Sequence, residues 1–266
     1  YFMSLFQNSV LNKYLKGLES ENLSEGASIV NQAYHRFTSH FHNPTIQENI
    51  RNSKEEQYQG EFLIDHFVNV LGYTKNPTPD FNLTTELKNI KGSKKTDGAI
   101  LATKGSNPMA SALAVIELKG TNTTDLSKVE TQAFGYKNDQ PGCHYVITSN
   151  FEKLRFYIDN AVDFEEFNLF QLSKERFNLL WLCLSADYLL KDIPKKIKEE
   201  SLTQEEHITK KLYKDYASFR NEIFDAIQKE NPQYDKLTLF KKTQKLLDRF
   251  LFIFFAEDRL LLPPNS

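Results

Sequence analysis

TDGAILATKGSNPMASALAVIELKG, Thr96 to Gly120, is the stretch whose reading decides the fold. Its ends, "TDGAILAT" and "ALAVIELK", are short apolar runs, and the "KGSNPMAS" between them is rich in Gly, Ser, Asn and Pro. That pattern predicts a β-hairpin. Side chains alternate along an extended chain, so Leu113, Val115, Glu117 and Lys119 share one face and Ala114, Ile116 and Leu118 the other. A Glu and a Lys at the end of so apolar a strand form either a satisfied ion pair or part of a site. The nearest partner for them is Asp97, at the start of the first run.

Outward from the hairpin, "TTDLSKVETQAFGYKNDQPG" opens with Thr and Asp as cap candidates and closes at Pro-Gly, which predicts a helix. "CHYVITS" and "KLRFYID" read as strands around Asn150, and "FEEFNLF" is a candidate for another. Upstream, Ser53 with Glu56 three residues on is a capping box, and Gly72 is the stop. Within that helix Gly60, Ile64, Phe67, Val68 and Leu71 are expected on one face, with Glu61 on its flank. Helix, two strands, helix and two strands predict an α/β domain with a central mixed sheet. Residues before 50 read as helical from the spacing of Leu5, Phe6 and Val10, then Ile29, Ala33 and Phe37. His35, His40 and His42 follow without a neighbouring acid or Cys and are read as surface or packing histidines, since structural zinc needs four ligands.

After Ser173 the pattern becomes helical. "SKERFNLLWLCLSADYLL" is capped by Ser173, a second helix is expected from a Thr203/Glu206 capping box to Pro232, and a third ends before Pro263 and Pro264. The charged "KDIPKKIKEESLTQ" reads as the linker between the first two, and the aromatic "FLFIFFA" as core or interdomain packing.

The chain has 266 residues, 40% hydrophobic and 26% charged, an ordinary globular balance with length enough for a sizeable core. A formal charge of −2 argues against a nucleic-acid binder that uses its whole surface, and leaves room for a local basic patch. Cys143 and Cys183 have neither metal-ligand spacing nor the density of a disulfide scaffold, so a reducing cytoplasm is expected. No apolar run reaches the roughly 20 residues that a membrane span needs.

Two carboxylates side by side on a sheet repel one another, and a divalent cation removes that repulsion. Few oxygen ligands with waters left over suit Mg²⁺. Such an ion can bind a phosphate oxygen and lower the pKa of a bound water, with Lys119 placed to position that water. The chemistry expected is phosphodiester hydrolysis.

These residues carry a resemblance. "TDGAI" and "AVIELKG" resemble the PD-(D/E)XK nuclease pattern, with Asp97 matching its first acid and Glu117-Leu118-Lys119 its E-x-K; Thr96 stands where the family name has Pro. "ETQAFGYK" is similar to the Q-x-x-x-Y element of a RecB-like branch through Gln132 and Tyr136, neighbours on one helix face. "QGEFLIDHFVNVLGY" resembles the helix that carries the family's additional acid, matched by Glu61. The tail, "KLYKDYASFRNEIFDAIQKENP" and "LFKKTQKLLDRFLFIFFAEDRLLLPPN", resembles the helical segment of type IIG restriction–modification enzymes. Those fuse an N-terminal nuclease to an adenine methyltransferase and a target-recognition domain.

The resemblance implies a restriction-endonuclease-like mixed β-sheet flanked by helices, followed by an all-helical connector. The division expected is an N-terminal helical segment over 1–50, the nuclease domain over 51–172 and the connector over 173–266, leading to a methyltransferase domain. The activity implied is Mg²⁺-dependent hydrolysis of double-stranded DNA. Asp97, Glu117 and the Leu118 carbonyl would hold the metal and Glu61 would complete the acidic cluster. Lys119 would orient or activate water, and Gln132 would steer water or phosphate. Lys88, Lys91, Lys94 and Lys95 in "KNIKGSKKTD", with Tyr136, are the candidate DNA contacts. S-adenosylmethionine belongs only to the methyltransferase expected beyond Ser266. Methyltransferase and target-recognition domains of the same polypeptide are the implied partners, with a transient dimer for double-strand cleavage and no membrane. The alternatives are a catalytically silent DNA-binding or docking module on the same fold, and a RecB-like repair nuclease, which the tail disfavours.

Overall fold

The computed structural model describes residues 5–24, 28–87, 95–102 and 112–263. Six strands form one open sheet in the order β1-β2-β3-β4-β5-β6: Leu83–Thr85, Gly98–Leu101, Ala112–Leu118, Tyr145–Ser149, Lys153–Ile158 and Phe164–Asn168. Every neighbouring pair is antiparallel except β3 and β4, which run parallel. That pair needs a crossover, and helix α5 (Ser127–Asn138) supplies it. The molecule is therefore α/β with a mixed sheet, and β2 and β3 are the expected hairpin; its loop, residues 103–111, lies outside the described residues.

From Ala114 on, the alternation read along β3 sorts the core into two layers, whereas Leu113, expected with Val115, joins the larger one. Ala114, Ile116 and Leu118 face a large apolar cluster shared with Ile147, Leu154, Phe156 and Phe167. Helices α1 (Asn8–Ser24), α2 (Ile29–Phe41), α3 (Pro44–Asn52), α4 (Glu55–Phe62) and α6 (Lys174–Leu184) feed this cluster, and α7 (Ala186–Leu189) adds Leu189. Phe37, Phe41, Phe62 and Phe67 are fully buried in it, and each such side chain contributes roughly 1.5–3 kcal/mol. Val115, Val146, Tyr157 and Phe164 point the other way, under Ala133 and Tyr136 of α5.

The helix expected from Ser53 starts one residue later. Ser53 ends α3, its hydroxyl donating to the Asn49 carbonyl, while Gln57 rather than Glu56 reaches back to accept from the Lys54 N–H. At Leu63 the helix widens into a π-helical turn, Leu63–Val68, with Asn69 N–H donating to the Ile64 carbonyl five residues back. The wider turn re-phases the buried face to Phe62, Leu63, His66, Phe67, Val70 and Leu71, where regular spacing gave Gly60, Ile64, Phe67, Val68 and Leu71. Gly72, at φ +83°, ends the run as expected.

The chain divides into two compact units, Tyr1–Leu202 and Thr203–Ser266. Boundaries expected near 50 and 172 fall inside the first unit, because Phe37, Phe177, Leu180 and Trp181 share a core with the sheet. Nor is "KDIPKKIKEESLTQ" a linker: α8 runs unbroken over Ile193–Glu230, and Thr203 and Glu206 lie within it rather than starting it. Pro194 is compatible with this because it sits in the first turn, where no helical hydrogen bond needs its missing N–H.

In the second unit the remainder of α8 pairs with α9 (Lys236–Asp258). Tyr216 donates to Asp248 at 2.8 Å and Phe224 meets Phe240 at 5.7 Å. Leu239, Thr243, Leu247 and Ala256 are buried there. Of the aromatic run expected in core or interdomain packing, Phe252, Phe254 and Phe255 are 69%, 61% and 56% exposed, so they are not core of this chain. No helix among the described residues is long and apolar enough to cross a membrane.

Candidate metal centre

Glu117 is the penultimate residue of β3 and is 1% exposed. Strand alternation turns it toward α5, beside Thr148 of β4, its partner in the parallel register. Gly98 pairs with Ile116 across the hairpin, which brings Asp97, one residue before β2, to the same end of β3. There Asp97 Oδ2 accepts from the Leu118 N–H at 2.7 Å. Lys119 follows the strand, and its Nζ lies 2.8 Å from Glu117 Oε1 and 3.0 Å from the Leu118 carbonyl. Gln132, from the middle of α5, donates from Nε2 to Glu117 Oε1 at 2.6 Å and to the Tyr136 hydroxyl at 3.0 Å. Asp97, Glu117 and Lys119, singled out by strand facing, and Gln132 and Tyr136, singled out by resemblance, are thus brought together at one end of β3.

Burial dominates the electrostatics. Desolvation pushes the Glu117 carboxyl up to about 7, with the Lys119 hydrogen bond opposing and the Asp97 charge adding. Asp97 is raised above the usual carboxylate range by desolvation, which outweighs the Leu118 N–H and the Lys119 charge. For Lys119 desolvation works against the charge, but the hydrogen bond and field of Glu117, with Asp97 and Glu55, hold the ammonium above its ordinary range.

A third carboxylate at this cluster is Glu55, which the spacing did not single out. It opens α4, accepts from the Gly120 N–H at 3.0 Å through Oε2, and places Oε1 3.5 Å from Lys119 Nζ. Glu61, expected in that role, does not join the cluster. It is exposed, and its charge acts on Tyr58 and Asp65 instead. Six residues along a helix, at about 100° each, put the two acids on different faces. Tyr136, expected at DNA, is 5% exposed beneath α5, so its hydroxyl can hold Gln132 but its ring cannot meet a duplex. Lys95 is exposed and paired with Glu86 at 2.7 Å, while Lys88, Lys91 and Lys94 lie outside the described residues.

Asp97, Glu117 and the Leu118 carbonyl offer oxygen donors only, the set that suits Mg²⁺. Among the described residues no group of three or more His, Cys, Asp or Glu side chains is placed to hold a metal ion, Asp97, Glu117 and Glu55 included. The fit to a cation rests on a different observation. Glu117 Oε2 is buried and without a hydrogen-bond partner, as is Thr148 Oγ1 beside it in the register. A buried carboxylate oxygen left bare is costly, and a cation would satisfy it.

No protein-family model, curated protein or solved structure matches this chain.

Proposed function

We propose that the first unit is a Mg²⁺-dependent DNA endonuclease domain of the PD-(D/E)XK type, drawn from a type IIG restriction–modification enzyme. The observation that carries this reading is Glu117: a buried carboxylate with one bare oxygen, flanked by Asp97 and followed at i+2 by Lys119. A purely structural ion pair would have no use for that bare oxygen, which disfavours a catalytically silent copy of the fold.

Asp97, Glu117 and the Leu118 carbonyl would hold the cation, with Glu55 adding negative charge from α4. Mg²⁺ supplies Lewis-acid polarisation of a phosphoryl oxygen and counter-charge for the transition state. Lys119 stays protonated at neutral pH, because its carboxylate neighbours hold its pKa up. It therefore serves as a fixed positive charge against the developing phosphorane rather than as a general base. Gln132 keeps Glu117 in one rotamer, and Tyr136 fixes Gln132 in turn. Double-stranded DNA is the substrate proposed. Methyltransferase and target-recognition domains, with S-adenosylmethionine for the former, belong to the same proposal through the tail's resemblance.

Supercoiled plasmid incubated with the protein and millimolar Mg²⁺ tests the reading. Nicking is expected, and Asp97→Ala and Lys119→Ala should each lower it by about 10²–10³-fold with circular dichroism unchanged. Nicking that persists in EDTA, or in both variants, overturns it.

A further inference from the structure

Lys119 occupies ground that a cation would need. Its ammonium contacts three oxygens: Glu117 Oε1 at 2.8 Å, the Leu118 carbonyl at 3.0 Å and Glu55 Oε1 at 3.5 Å. The second belongs to the donor set assigned above to Mg²⁺, and the first is the other oxygen of the carboxylate whose Oε2 is bare. The third belongs to a carboxylate anchored elsewhere, since Glu55 Oε2 accepts the Gly120 N–H at 3.0 Å. Two positive charges a few ångströms apart in a half-buried site repel strongly. An ammonium on the Leu118 carbonyl and one oxygen of Glu117 and a divalent ion on that carbonyl and the other oxygen compete for the same ground.

We propose that Lys119 guards the cation site. Its ammonium is the counter-ion of Glu117 through Oε1, and a divalent ion seated on Oε2 would gain the Leu118 carbonyl and the rest of that carboxylate only by displacing it. Glu55 is the positioning residue of the exchange. Its carboxylate is tied to the Gly120 backbone, so it can keep Lys119 Nζ at the mouth of the site after Glu117 and Leu118 have let it go. The displaced ammonium then stands beside the cation instead of on its ligands, where it can meet a phosphate oxygen. Cation entry and the arming of Lys119 become one event.

The inference rests on the nuclease reading for the claim that a divalent ion binds here, and a binding measurement separates the two. A lysine that merely scaffolds the site loses cation affinity when removed, whereas a lysine that competes for the ligands raises it. Mn²⁺ is titrated into the 266-residue chain at neutral pH and the free ion is counted by electron paramagnetic resonance. Lys119→Met and Lys119→Gln should bind Mn²⁺ at least about tenfold more tightly than the unaltered protein, while Lys119→Arg, which keeps the charge, should not. The Gln variant keeps a polar partner for Glu117 should the Met variant fold poorly. Equal or weaker binding by both neutral variants overturns the guard and leaves the nuclease reading standing. No binding by any of the four proteins overturns both.

Discussion

Two clusters of charge hang from the same helical segment, one at each end, and they are built on opposite terms. At the start of α4, Glu55 leans toward Asp97, Glu117 and Lys119, so three carboxylates face one ammonium and a buried Glu117 oxygen stays bare. At its other end, in the π-helical turn, Asp65 meets His40 Nε2 at 3.2 Å and the Tyr58 hydroxyl at 3.5 Å, and those two partners meet each other at 3.0 Å. Desolvation raises Asp65 and Tyr58 alike, with Glu61 adding to both. Yet no side-chain oxygen of Asp65, Tyr58 or Glu61 is buried without a partner. Asp65, His40 and Tyr58 satisfy one another, although both ring nitrogens of His66 in the same turn are buried without partners, while in the first cluster it is a carboxylate oxygen that stays unmet. A raised carboxylate alone therefore does not separate the two clusters; the unmet oxygen of Glu117 does.

The largest effect that separates the clusters is on stability. Glu117 is raised in the fold from its ordinary 4.5 to about 7, so between those values the native state binds more protons than the unfolded chain. The stabilisation is complete below 4.5 and is lost as pH rises through about 7. In EDTA, the unaltered protein should therefore lose on the order of 3 kcal/mol relative to Glu117→Gln as pH is raised across that window. Urea melts at a series of pH values read this directly. Parallel pH profiles for the two proteins would mean that Glu117 titrates as an exposed side chain does. Millimolar Mg²⁺ should restore the unaltered protein at alkaline pH and leave Glu117→Gln unmoved.

A smaller effect compares the two ends of the helix itself. Glu55→Gln removes a charge-assisted contact of about 1.5 kcal/mol, which corresponds to roughly tenfold in plasmid nicking. Glu61→Gln, exposed and outside the centre, should stay within about twofold. Equal losses in the two variants would erase the distinction between the clusters.

That pair also marks where the sequence stops being legible. Asp97, Glu117 and Lys119 could be read from the alternation of a strand, whereas Gln132 and Tyr136 are singled out by resemblance, and i, i+4 spacing says only that they are neighbours. Glu55 could be read from neither. Its contact with Gly120 spans 65 residues, and no local periodicity encodes it. Glu61 stood in for it on the assumption of a regular helix, but the start at Lys54 and the π-helical turn changed both end and phase. Strand β1 escaped notice because "LTT" is three residues long and finds its place only by pairing with β2. The run through Pro194 looked like a linker because it is charged, and charge alone does not tell a solvated helix from a loop. The exposed aromatics of α9 are a further limit, since hydropathy says what avoids water and not whether this chain provides the cover.

The central claim, that Glu117 is a buried cation ligand, is tested most directly by carbon-13 NMR of the protein with glutamate side-chain carboxyls labelled, the Glu117 resonance being assigned by its loss in Glu117→Gln. Without a divalent ion its midpoint should lie near 7, and saturating Mg²⁺ should lower it by more than about one pH unit. A midpoint in the ordinary glutamate range, unmoved by Mg²⁺, would contradict the account.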